Sequence, residues 1–368
     1  MAEEKWIEPD KPVKRKILAF IYHKKETSKQ EIARALSLSM PTVLQNVNEL
    51  AADHFIREAG EYESTGGRRA KVLTVDPAIF ETVGLDITCH HVRIAVLDAG
   101  GGVKKLKRIR IDFKDTPMYY KNIAAAFREA VGNDDERIYG VGISLPGIID
   151  AKQKMLVRSH ILGTTQLNLN QFQEVIGKPL SFINDANSAA CAELKDFHGN
   201  AVYISLSDSV GGAVCINGAL YMGERFKSGE FGHMTVVPGG RPCYCGKRGC
   251  FDAYCSAKVL RAAGGGSLDR FFERLEADDA GCRAVFETYT DYLAVEINNL
   301  RMAFDCDIIL GGYAGKYMVP YQTLISEKTA QRNPFTFDAS YIRIGRCGDE
   351  AAAVGAALQP INQYYIEK

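Results

Sequence analysis

Apolar residues near the start of the chain recur at helical spacing. Val13, Ile17, Phe20 and Ile21 share one face of the segment from Lys11 to Lys25, the pattern of a helix with one buried side. Ser28 stands where an N-cap belongs, and Glu31 three residues later completes a capping box. The short helix it opens, Lys29 to Leu36, turns Ile32, Ala33 and Leu36 inward. After a tight turn at Ser37-Leu38, Ser39 caps a third helix whose first turn tolerates Pro41. Met40, Val43, Leu44, Val47 and Leu50 are expected on its inner face, with Thr42, Gln45, Asn46 and Glu49 outside.

Helix, short helix, tight turn and longer helix is the order of a helix-turn-helix. The outer face suits base edges: glutamine and asparagine bond adenine, and threonine meets a thymine methyl. A generic three-helix bundle with a polar outer face fits the periodicity equally well. The next segment separates the two readings. Phe55 to Glu58 and Lys71 to Val75 alternate as strands, and Ser64-Thr65-Gly66-Gly67-Arg68-Arg69 lies between them. That is a hairpin wing with arginines at a glycine-rich tip, suited to phosphates or a minor groove. From Lys11 to Val75 there are 12 Lys/Arg against 7 Asp/Glu, a local excess that favours nucleic acid. Ser39, Thr42, Gln45, Asn46, Arg68 and Arg69 are therefore the candidate DNA contacts of a winged domain over residues 1–76.

Beyond Pro77, which breaks the wing's last strand, the pattern changes. Thr82–Ile87, Val92–Leu97 and Val103–Phe113 read as strands, Met118–Val131 as a helix, and Ile138–Ser144 as a buried strand. Ser181–Ile183 is a short strand delivering Asn184-Asp185-Ala186-Asn187 to the start of a helix. In open α/β sheets that end of a strand is where ligands bind. Asp185 there serves as a general base or a hydroxyl acceptor, while simple helix capping by Asp185 and Asn187 explains the motif as well. A second run of strands (Val202–Leu206, Gly212–Ile216, Ile308–Leu310, Ile342–Ile344) and helices near Ser256, Leu268–Ala277, Ala284–Phe304 and Ala351–Leu358 follows. Two successive α/β halves predict two lobes, 77–195 and 196–368, around a cleft.

Composition changes this picture little. The 368 residues carry 45 Lys+Arg and 45 Asp+Glu, so the basic head is balanced by the body. Ten cysteines are too few for a disulfide scaffold. No apolar run approaches the roughly 18 residues of a membrane span, and the acidic start lacks an apolar signal stretch. A cytoplasmic chain is expected.

The stretch 229–256 carries the densest chemistry. An imidazole and three thiols lie between His233 and Cys250, with Glu230 before them and Asp252 after. Histidine and cysteine in that number suit a closed tetrahedral zinc site, and the carboxylates suit a hydroxyl-rich ligand. Cys255 reads as a small buried apolar residue.

Four segments together resemble the ROK family of repressors, open reading frames and sugar kinases. They are Gly142-Ile143-Ser144-Leu145-Pro146-Gly147-Ile148-Ile149-Asp150, Asn184-Asp185-Ala186-Asn187, Gly229-Glu230-Phe231-Gly232-His233-Met234, and Cys243-x-Cys245-Gly246-x-x-Gly249-Cys250. The winged head resembles that of the family's repressor branch. The resemblance implies an actin-like, hexokinase-like (ribonuclease H-like) α/β fold of two lobes behind the winged helix-turn-helix. It places structural Zn2+ on His233, Cys243, Cys245 and Cys250. It places sugar hydroxyls near Asn184, Asp185, Glu230, His233 and Asp252, with His160 near a further contact position.

The kinases of that family hold phosphates on glycine-rich loops, whose backbone N–H groups approach closely. Here the first loop reads Asp86-Ile87-Thr88-Cys89-His90-His91, and the second Ser207-Asp208-Ser209-Val210-Gly211-Gly212. The first has no glycine, and Asp208 sets a carboxylate where phosphate would lie. Only Gly311-Gly312 keeps the pattern. The expectation is a non-enzymatic, sugar-responsive repressor acting on operator DNA as a homo-oligomer, dimer or tetramer. A ligand-free constitutive DNA binder and an active ATP-dependent sugar kinase with an appended head are the alternatives.

Overall fold

Three capped helices and a hairpin build the head. The computed structural model describes residues 11–62, 70–335 and 338–366. Helices Pro12–Lys24, Lys29–Ala35 and Met40–Ala52 pack around Ile17, Ile21, Ile32, Val43, Val47 and Leu50. Ser28 and Ser39 cap as expected, accepting from the Glu31 and Thr42 amides at 3.2 and 3.3 Å. Strands Ile56–Glu61 and Lys71–Val75 pair antiparallel as the wing's stem. Arg68 and Arg69 lie outside the described residues.

The inner face of the third helix departs from the expectation. Met40 and Leu44 stand exposed, while Asn46 is buried and donates from Nδ2 to the Thr42 carbonyl at 2.7 Å. The helix turns the stripe Val43, Asn46, Val47 and Leu50 inward. A buried asparagine is tolerated because it bonds back one turn, which satisfies its amide without a partner helix.

The body consists of two sheets with the same strand plan. In the first, Glu81–Ile87, His91–Asp98 and Val103–Arg110 run antiparallel, and Ile138–Leu145 and Leu180–Asn184 add on in parallel. In the second, Ala201–Leu206, Val210–Ile216 and Ala219–Leu220 run antiparallel, with Asp307–Gly311 and Ile342–Ile344 added in parallel. A small third sheet, Ile148–Asp150, Met155–Ser159 and Thr164–Asn168, was not foreseen. It brings Ser159 and His160 to the cleft.

Helices Asp185–Glu193 and Ala351–Ile366 lie between the two sheets. Their contact is close because both present small residues: a Cβ on Gly355 would fall 1.6 Å from the Ser188 carbonyl oxygen. The last helix runs past its expected end at Leu358 and continues through Pro360. It lies so near the first sheet that a Cβ on Gly84 or Gly142 would meet its backbone at 1.9 or 1.8 Å. The end of the chain thus packs on the first lobe, although sequence order groups it with the second.

The head shares that helix. Tyr22 stacks on Tyr365 with ring centroids 4.2 Å apart, and Leu18, Ile21 and Phe80 belong to one core with Ala357, Leu358 and Ile361. Among the described residues, no helix is long and apolar enough to cross a membrane.

Candidate sugar and metal site in the cleft

Asn184 ends a strand of the first sheet, and the helix Asp185–Glu193 starts beside it. Its Oδ1 caps that helix, accepting from the Ala186 and Asn187 amides at 2.9 and 3.1 Å, and its Nδ2 donates to the Gly147 carbonyl at 3.0 Å. The cap is thus Asn184 and not the expected Asp185 or Asn187, and most of its bonding capacity is engaged. Asp185 and Asn187 are left facing the ligand space. Burial, then the Asp86 carboxylate and Glu230, push the Asp185 carboxyl up to about 7, against a bond from the Ala186 amide. Asn187 is buried, and its Oδ1 has no hydrogen-bond partner.

Across the cleft, Phe231–His233 forms a single 3-10 turn after Glu230. Gly229 ahead of it adopts φ +82, and a Cβ there would fall 2.4 Å from the Gly212 oxygen, so only glycine admits this turn. Asn184, Asp185, Asn187, Glu230, His233 and His160 all line one cavity of about 250 Å³. The structure therefore brings together five of the six predicted sugar contacts.

The sixth, Asp252, is not among the residues that line that cavity. Its side chain is buried, and Oδ2 accepts from the Val210 amide at 2.6 Å. Burial pushes its carboxyl up to about 6. Its place is beneath the wall, holding the loop before Val210–Ile216. Sequence position alone could not separate an acid in the cleft from one just behind it.

The four predicted metal ligands do converge. One ligand atom from each of His233, Cys243, Cys245 and Cys250 lies within 4.8 Å of the others. Zinc–sulfur bonds of about 2.3 Å at a tetrahedral angle require sulfurs about 3.8 Å apart, and a nitrogen–sulfur edge slightly shorter. Cys245 Sγ lies 3.8 Å from Cys250 Sγ, and Cys243 Sγ lies 3.7 Å from His233 Nδ1. The residues fit the ion. His233 turns Nδ1 to the thiols and Nε2 toward the Tyr244 hydroxyl at 3.4 Å. Burial lowers its pKa, which keeps the ring neutral for ligation.

Tyr244 was missed by sequence reasoning. It sits between two of the cysteines, and its ring lies 5.9 Å from His160. An aromatic inside a metal loop, aimed wherever the loop points, was the available signal.

The same cleft opens into a second cavity of about 620 Å³, reached past Asp185, His160 and Tyr244. Both divergent loops line it. Arg93 is buried there, 3.2 Å from Asp86, with its guanidinium 4.8 Å from the Tyr313 ring. Ser144 donates to the other Asp86 oxygen at 3.0 Å. Asp208 pairs with Arg261 through both oxygens, and Lys316 approaches Asp349 at 3.7 Å. Arg93 had a sequence signal: a lone cation in the apolar run Val92-Arg93-Ile94-Ala95 needs a buried partner.

A family model described as ROK family matches residues 82–360. Another, described as winged helix-turn-helix DNA-binding, matches residues 11–57. The xylose repressor of Bacillus subtilis (strain 168) is 28% identical over 301 residues, which span 77% of each chain. The glucokinase of Halalkalibacterium halodurans is 27% identical over 74% of this chain and 92% of its own. A solved ROK family transcriptional regulator, a homologue of the E. coli MLC protein, superposes with TM-score 0.76. It is 18% identical, and the match covers 96% of this chain and 98% of that one. Repressors and kinases thus both stand among the relatives.

Proposed function

The chain belongs to the ROK family, and from that premise we propose that it is a sugar-responsive, DNA-binding transcriptional repressor without kinase activity. One observation carries the reading. A monosaccharide-sized cavity lined by Asp185, Asn187, Glu230 and His233 sits in the same chain as a winged head, while the acids of both divergent loops, Asp86 and Asp208, are each held by an arginine. A phosphate drawing on Arg93 or Arg261 must compete with Asp86 or Asp208 for it.

In this reading the head, 1–76, binds operator DNA, and the lobes 77–195 and 196–368 close on a sugar. The helix Ala351–Ile366 links head to lobes. Zinc held by His233, Cys243, Cys245 and Cys250 is structural, because four protein ligands leave no open position. The ion fixes the wall that presents Glu230 and the outer nitrogen of His233. Two heads read a two-fold related site, so the working form is a homo-oligomer, dimer or tetramer.

The kinase reading has one feature in its favour: a carboxyl near 7 at Asp185 suits a general base. One experiment separates the readings. The purified protein is heated with a panel of pentoses and hexoses, xylose first, and assayed with ATP. A sugar that raises the melting temperature and changes affinity for a selected DNA duplex is the expected result. A panel that moves neither would overturn the sensor; sugar-dependent ADP formation would establish the kinase.

A further inference from the structure

The outward face of the third head helix differs from the one the sequence predicts, and the difference bears on what DNA it reads. Met40 and Leu44 are 39% and 41% exposed, one turn apart. The polar residues around them are engaged within the head. Asn46 is buried on the Thr42 carbonyl. Gln45 donates to Glu49 at 2.9 Å, Asn48 accepts from Lys29 Nζ at 3.3 Å, and the Ser39 and Thr42 hydroxyls bond each other at 2.7 Å. Glu49 is in turn paired to Lys11 and Lys14. What the helix offers is an exposed apolar pair among polar side chains that each already hold a bond within the head.

DNA is the occupant that the rest of the head supports. The surrounding segment is basic, and the match to a DNA-binding model covers this helix. The apolar group that duplex DNA presents in its major groove is the thymine C5-methyl. Side chains one turn apart stand roughly 6 Å apart along a helix axis, close to two base-pair steps of about 3.4 Å each. We propose that Met40 and Leu44 are specificity-determining residues that read thymine methyl groups in each operator half-site. The inference rests on the DNA-reading function proposed above and adds which side chains discriminate.

The test starts with a duplex selected by the full-length protein from a randomised library. Each thymine is then replaced by deoxyuridine, which removes only the methyl. At one or two positions per half-site this should weaken wild-type binding about fourfold, the worth of one buried methyl group. Leu44→Ala should bind the parent duplex several-fold more weakly and, keeping any response at the thymine that Met40 reads, lose the response at one responsive thymine per half-site. Leu44→Met should retain it. The slope of affinity against salt should not change, because no phosphate contact is removed. Leu44 is exposed, so the melting temperature should stay within a degree or two of wild type.

A panel in which every deoxyuridine replacement weakens wild type and Leu44→Ala equally, or none weakens wild type, overturns the proposal. So does a change in the oligomeric state of DNA-free Leu44→Ala, which would make this face a protein contact. Failure to select any duplex removes the DNA-reading function itself, a separate and earlier outcome.

Discussion

The two ends of the interlobe cleft hold similar inventories of charged and polar side chains and deploy them in opposite ways. On the sugar side, Asp185, Asn187, Glu230 and His233 surround open space, and Asn187 Oδ1 has no partner in the protein. On the nucleotide side, the acids of the two divergent loops are closed, Asp86 by Arg93 and Ser144 and Asp208 by Arg261, while Arg93 Nε and Asp349 Oδ1 keep no hydrogen-bond partner. Buried polar groups without partners are costly, and they persist where a ligand completes them. Acids already paired to arginines leave a phosphate fewer cations to gain, as Asp86 and Asp208 do here. Substitutions on the first side should therefore disturb binding, and substitutions on the second should disturb folding.

The largest effect is expected where the sugar-side wall is anchored. Cys245→Ser removes one of the four side chains that converge on the candidate metal site. Structural zinc sites contribute about 10–16 kcal/mol in small domains, so losing one ligand should cost roughly 3 kcal/mol or more of zinc binding. Metal content should fall, the melting temperature should drop, and sugar binding should go with it, as chelation of the wild type should also show. A variant that keeps full sugar response after zinc loss would detach the metal from the wall.

Next comes the nucleotide side. Arg93→Ala leaves the Asp86 carboxylate buried beside Ser144 with no cation. Breaking a buried pair by removing one partner costs about 3–5 kcal/mol. Denaturant titration should show that loss, while sugar affinity in the surviving folded protein changes less than about threefold. The contrast is Asp185→Asn on the sugar side. It deletes a charged acceptor for a sugar hydroxyl, worth about 1.5–3 kcal/mol, or roughly ten- to a hundredfold in affinity. Its stability at pH 8 should be unchanged or higher, because a carboxyl that burial disfavours is replaced by a neutral isostere. If Arg93→Ala lost sugar binding and kept its stability, the division between the two sides would fail.

How much of this was legible beforehand follows from what each feature depends on. The head was readable because caps and periodicity are local: Ser28, Ser39 and the spacing of Ile17, Ile21 and Val47 all act within a few turns. The metal set was readable because its four residues are close in sequence. The repetition of one strand plan in both sheets was not, since it lies in strand order and not in recurring residues. Nor was the engagement of Asn184, Asn46 and Asp252, each decided by whether a backbone group happens to stand opposite. Arg93 announced a buried partner, and Asp86 stands directly opposite it on the neighbouring strand, but the Tyr313 ring comes from the other lobe and carried no local signal.

The smallest expected effect gives the finest test of the sugar side. Burial, Asp86 and Glu230 hold the free Asp185 carboxyl near 7. A sugar hydroxyl that donates to it stabilises the ionised form and lowers that value in the complex. Between pH 6 and 8 the complex then binds fewer protons than the free protein, so affinity rises with pH, by up to about tenfold, and levels off above the free value. Stability of the ligand-free protein runs the other way. The native carboxyl holds its proton where the unfolded one, near 3.8, has lost it, so the contribution of Asp185 is full at acid pH and fades as pH climbs toward 7. Burial, His160 and Lys247 all lower the pKa of His233, which favours its neutral ring. Calorimetry in two buffers of different ionisation enthalpy should detect the released proton, and Asp185→Asn should abolish both the release and the pH slope. A flat affinity from pH 6 to 8, with binding still lost in Asp185→Asn, would mean that the carboxyl meets the sugar protonated, as a donor, and the direction of that hydrogen bond would be reversed.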